Sequence, residues 1–171
     1  MENLASIAKD EPQLSYAAFT KSISMRWCFL QRTIPDTSRY FVPLEETIRE
    51  KLIPALIGRK ITDNERDLFS LPVRLGGLGI QNPTITADIE FYNSSIVTQN
   101  LTELIERQET NLQNYAIERV EADIARVKTE KEEMLISRLE DVKNSADDKL
   151  KRSIELACEK GAGAWLTALP L

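Results

Sequence analysis

The chain contains no histidine among its 171 residues. That removes the most frequent general base, the most frequent metal ligand and every histidine-dependent nucleophile. Cysteine is nearly as scarce. Cys28 and Cys158 lie at opposite ends of the chain with no companions at zinc-ligand spacing, so they read as reduced thiols. No apolar run approaches the roughly 18 residues that cross a membrane. Glu2, Asp10 and Glu11 stand where a signal peptide would be positively charged. The expectation is an intracellular protein, cytoplasmic or nuclear, with no membrane partner, no cofactor and no metal.

A basic excess is missing as well. Net charge is −5 and the pI near 5.0. Residues 1–83 hold 11 Lys/Arg against 10 Asp/Glu, and residues 84–171 hold 11 against 17. Dedicated nucleic-acid binders usually carry a basic face and often a high pI, and this composition shows that signature weakly.

Glycine is rare, with six in all, but three stand within four positions: Gly76, Gly77 and Gly79. Val73, Leu75, Leu78 and Ile80 surround them, between Pro72 and Pro83. Glycine serves where φ must be positive or backbones approach closely, so this stretch predicts a compact apolar turn packed on another element. It matches neither G-x-G-x-x-G nor a P-loop, and it holds no catalytic group.

What is present divides at residue 83. The first part is punctuated by prolines into short helices, and residues 84–160 contain neither Gly nor Pro, which favours long helices. Tyr16, Phe19, Ile23, Trp27, Leu30 and Ile34 form a helical stripe that predicts one helix from about 12 to 33, stopped by Pro35. A second helix starts near Pro43, with Pro54 as its kink or end. Thr62 to Glu65 has capping-box form, and Asn82-Pro83 reads as an N-cap and first-turn proline. Ile117, Val120, Ile124, Val127, Lys131 and Met134 repeat at heptad spacing. After a change of spacing near Leu135, the stripe resumes at Leu139, Val142, Ala146, Leu150 and Ile154. A helical hairpin and an intermolecular coiled coil both fit this pattern. Residues 161–171 read as an apolar tail, with Trp165, Leu166, Leu169 and Leu171, leading into further protein. The fold class expected is all-α: a short N-terminal bundle closed by the glycine turn, followed by long helices.

Candidate chemistry is sparse. Asp147-Asp148 lies in a charged helical segment, where adjacent residues do not share a face. Asp63, Glu65 and Asp67 are explained by a helix start. Arg26, Arg32 and Arg39, interleaved with Trp27, Phe29, Tyr40 and Phe41, form the set suited to phosphate and base contacts. The charge balance favours Trp27 and Phe29 as core and the arginines as their rim.

Four ordered blocks carry a resemblance. They are Arg26-Trp27-Cys28-Phe29-Leu30-Gln31-Arg32-Thr33-Ile34-Pro35-Asp36; Pro43-Leu44-Glu45 with Ile48-Arg49 and Ile53-Pro54-Ala55-Leu56; Glu65-Arg66-Asp67-Leu68 through Leu71-Pro72-Val73-Arg74-Leu75-Gly76-Gly77-Leu78-Gly79-Ile80 and Asn82-Pro83; and Glu159-Lys160-Gly161-Ala162-Gly163-Ala164-Trp165-Leu166-Thr167-Ala168-Leu169-Pro170. Together they resemble the region after the polymerase domain in reverse-transcriptase-like proteins of animal retroelements of the non-LTR type. The resemblance implies a non-catalytic thumb- or connection-like segment, and no polymerase residue transfers to any position. It implies RNA or DNA contacts, weak and salt-sensitive, through Arg26, Arg32 and Arg39. The alternative expectation is a helical interaction module that forms a homo-oligomer through residues 112–157.

Overall fold

The computed structural model describes residues 1–108 and 114–164, and all regular structure among them is helical. Five helices build the N-terminal bundle: α1 (Glu2–Ala8), α2 (Pro12–Lys21), α3 (Cys28–Thr33), α4 (Val42–Thr47) and α5 (Ile53–Ile57). The short α6 (Asp63–Ser70) leads into the glycine turn. Three helices follow: α7 (Pro83–Glu106), α8 (Asn114–Ser145) and α9 (Asp148–Ala157). The apolar tail residues Trp165, Leu166, Leu169 and Leu171 lie outside the described residues.

The expected helix over 12–33 is broken. At Ser22 the backbone leaves the helix (φ −132°, ψ −62°), a 3-10 turn spans Ile23–Arg26, and α3 restarts at Cys28. Hydroxyls crowd the break: Thr20 Oγ1 donates to the Tyr16 carbonyl at 2.9 Å and Ser24 Oγ to that of Thr20 at 3.3 Å. Such side-chain bonds compete with the regular ladder. The break rotates α3, so Gln31 is buried while Leu30 and Ile34 of the anticipated stripe face solvent.

Pro54, by contrast, does not end its helix. The π turn Ile48–Leu52 joins α4 to α5, absorbing the proline that lacks an N–H for the regular ladder. The helix then stops at Gly58, left-handed at φ 76°.

Two apolar cores result. Tyr16, Phe19, Ile48, Leu52, Ile53 and Ile80 form the first, inside the bundle. Leu68, Leu71, Leu139, Val142 and Ile154 form the second, where α6, α8 and α9 meet. Phe69 packs against both. Each fully buried side chain of this size contributes about 1.5–3 kcal/mol of transfer free energy. The second core draws on both sides of residue 83, tying the long helices to the bundle.

α7 and α8 run antiparallel as a hairpin: Lys131 pairs with Glu90, and Asn100 Nδ2 donates to Asp123 at 3.3 Å. Lys131 thus occupies its heptad position by reaching a carboxylate on the facing helix. The Leu139–Ile154 stripe continues across a break, because Asp147 caps α9 by accepting from the Leu150 N–H at 2.9 Å. Near Leu135 the partner of α8 changes from α7 to α6, and the shift of apolar spacing follows that change.

Candidate interaction surface

The glycine turn folds back on the end of α6. Gly79 N–H donates to the Leu71 carbonyl at 2.8 Å, and Ile80 N–H to that of Phe69 at 3.0 Å. A Cβ on Gly77 would stand 2.1 Å from the Leu71 carbonyl oxygen, so no side chain fits there. Gly76 lies against α9, where a Cβ would meet Cys158 Sγ and the Ile154 oxygen at 3.3 Å. Tyr16 Oη donates to the Leu78 carbonyl at 2.7 Å, binding the turn to the first core. Burial of that phenol pushes its pKa up.

Arg66, which the sequence reading noted only as part of a resemblance block and gave no role, holds this junction together. It is 3% exposed. Its Nε and Nη2 donate to Glu45 at 2.6 and 2.7 Å, and Nη1 donates to the Ile80 carbonyl at 2.8 Å. A buried guanidinium needs this bidentate carboxylate and its neighbouring carbonyls to offset desolvation.

The stretch 25–42 presents the most unusual exposed surface. Six of the fourteen exposed large apolar side chains among the described residues fall in it: Met25, Phe29, Leu30, Ile34, Tyr40 and Val42. Scattered exposed apolar residues are ordinary, but a concentration of them is a marker of contact. Trp27 is half-buried beside Phe19, ring centroids 6.0 Å apart, whereas Phe29 is 71% exposed rather than part of the core. The inner side of this stretch docks on the first turn of α7. Gln31 Nε2 donates to the Pro83 carbonyl at 2.9 Å and Ser38 Oγ to that of Thr84 at 2.8 Å. Met25, Phe29, Leu30, Ile34, Tyr40 and Val42 along the same stretch are exposed to solvent.

The three arginines differ in their engagement. Arg32 Nε reaches Glu90 at 3.4 Å, and Glu90 also takes Lys131, so one carboxylate links α3, α7 and α8. Arg39 lies 4.8 Å from the Tyr40 ring centroid and donates to Tyr40 Oη at 2.9 Å, with no carboxylate partner among the described residues. Arg26 is exposed at the end of its 3-10 turn. Beside Glu90 a cleft of about 150 Å³ opens between the glycine turn, α7 and α8, with Arg138 and Lys131 on its wall.

Acidic groups elsewhere have structural employment. Thr62 and Glu65 form the capping box, with the Thr62 N–H donating to Glu65 at 2.9 Å. The hydrogen-bonded Arg59 guanidinium, helped by Thr62, pulls the Glu65 carboxyl down to about 2. Asp63 pairs with Arg49, and Arg138 approaches Asp67 at 3.8 Å. Among the described residues no three His, Cys, Asp or Glu side chains come together to hold a metal. No helix among them is long and apolar enough to cross a membrane.

The outer half of the hairpin holds no buried residue among those described. Val120, Ile124 and Val127 are half-buried along the seam, while Ile105 and Ile117 near the tip are 71% and 49% exposed. Glu106, Glu118 and Glu121 stand exposed beside them. No family model matches this chain, and no curated protein or solved structure matches it either.

Proposed function

We propose that the chain is a non-catalytic helical binding module whose contact surface is the 25–42 face. Support comes from one observation above all, the exposure of Met25, Phe29, Leu30, Ile34, Tyr40 and Val42 along one short segment that is docked on α7 through Gln31 and Ser38. Aliphatic side chains outnumber aromatic ones there, and the net charge is small, which favours a protein partner over a polyanion. The lack of histidine agrees with a binding rather than a catalytic role.

A photo-crosslinking residue in place of Phe29, with a control at exposed Arg152 on α9, tests this. Protein adducts from position 29 and none from position 152 are expected. Absence of adducts at 29 would remove the face from consideration.

A second reading draws on Arg39 over Tyr40 and on the open ring of Phe29, which suit stacking and phosphate contact with a single-stranded nucleic acid. It is the reading that agrees with the retroelement-like sequence blocks, in which the chain is a thumb- or connection-like fragment. Oligonucleotide adducts from position 29, lost as salt rises, would favour it.

A further inference from the structure

We propose that the cleft beside Glu90 is a binding site for a small organic acid, a single carboxylate on a compact apolar body of benzene size. The cleft lies where α8 changes partner from α7 to α6 near Leu135. Ile85 and Ile89 line it from α7, Met134 and Leu135 from α8, and Gly79 from the glycine turn. Gly79 has no side chain to fill the space, and an added Cβ there would meet no atom within 4 Å. The volume, about 150 Å³, is that of a cavity that accepts benzene when its walls are apolar.

Polar groups on the wall select the charge of the ligand. Among the described residues Glu90, Lys131 and Arg138 are the charged ones that line the cleft. Glu90 is shared between Lys131 and, from outside the cleft, Arg32. Arg138 approaches Asp67 only to 3.8 Å. Three cations thus stand against two carboxylates, an excess of one positive charge. Near by, Arg74 and Glu132 pair with each other, and Asp88, Lys128 and Glu133 do not line the cleft. Arg138 is also held in place. Its Nη2 donates to Ser70 Oγ at 2.9 Å, and Ser70, only 4% exposed, donates in turn to the Asp67 carbonyl at 2.6 Å. Nε and Nη1 of Arg138 are left with no hydrogen-bond partner among the described residues. A guanidinium fixed in this way suits a planar carboxylate. An inorganic anion would leave the apolar walls wet, and a neutral hydrocarbon would leave the positive charge unanswered.

No residue of the 25–42 face lines the cleft, so this inference stands or falls apart from the reading of that face. Amide shifts of the isotope-labelled full chain, titrated at neutral pH with benzoate, benzamide or acetate, test it. Benzoate should shift amides over 79–90 and 131–138 along one saturable curve, with a dissociation constant on the order of 1 mM. Benzamide has the ring without the charge and acetate the charge without the ring; each should bind about tenfold more weakly or worse. Arg138→Gln keeps a donor for Ser70 and should weaken benzoate about tenfold while leaving benzamide unchanged, a split that a merely structural role of Arg138 would not produce. Ile85→Trp, at a position 39% exposed, should block the cleft to both aromatic ligands, and it keeps the test open if circular dichroism shows that Arg138→Gln has lost its helices. Benzoate that fails to saturate by about 50 mM would overturn the inference. So would shifts scattered over the surface, binding no better than that of benzamide or acetate, or benzoate affinity unchanged in Ile85→Trp.

Discussion

Replacing Arg66 by methionine removes a buried cation of similar length and leaves its partners behind. The Glu45 side chain is only 12% exposed, and the Ile80 and Gln81 carbonyls lose their donor. An uncompensated buried charge costs about 3–5 kcal/mol. A domain of this size has about 5–15 kcal/mol of stability in total, so the variant should be close to unfolding on gentle heating. Urea unfolding followed by circular dichroism at 222 nm reads the loss directly. Adding Glu45→Leu to Arg66→Met should recover part of it, because the stranded carboxylate is gone even though the two carbonyls remain. A loss below about 1 kcal/mol for Arg66→Met would refute the reasoning, since breaking a buried pair cannot be that mild. So would a double variant whose loss equals the sum of the single losses, because residues in contact should couple.

Gly77→Ala should destabilise by about 3 kcal/mol or more, as its Cβ meets fixed backbone. Gly79→Ala should lose only about 1–2 kcal/mol, since φ is 67° but the surrounding space is open; equal losses in urea titrations would refute the close-approach argument. The Glu65 carboxyl is depressed from 4.5 to about 2, so its contribution is whole above about 4.5 and disappears as pH falls toward 2. Glu65→Gln should flatten the acid side of a stability–pH curve in that window, and an unchanged slope would show that Arg59 does not stabilise the ionised form. Gln31→Leu should weaken the seat of α3 on α7 by about 1–2 kcal/mol, read as a lower urea midpoint; an unchanged midpoint would mean that its two hydrogen bonds add nothing net.

Local signals were legible in the sequence where one physical cause acts alone. Thr62 with Glu65 and Asn82 with Pro83 mark helix starts through orphan N–H groups, and both helices begin there. The 139–154 stripe likewise names residues of the second core. The break at Ser22 was hidden because the apolar stripe runs through it unbroken, while the competing hydroxyl bonds leave no periodic trace. Pro54 was legible as a disturbance of its helix, which takes the form of the π turn Ile48–Leu52, but not as the end of that helix, which comes at Gly58. The Asp147 cap was masked by the charged residues around it.

The exposed face was half legible. Its residue types were visible in Arg26, Phe29, Arg32, Arg39 and Tyr40, but whether Phe29 faces inward depends on how α3 is rotated after the break. The role of Arg66, noted in the sequence only within a resemblance block, was hidden for a related reason. Its burial comes from Glu45 and the glycine-turn carbonyls, which are distant in sequence and reveal nothing until the turn is closed.

Crosslinking from position 29 of the full chain tests the 25–42 contact surface most directly. Protein adducts from that position, with none from exposed Arg152 on α9, are the result expected. No adducts from position 29, or equal adducts from both positions, would contradict it.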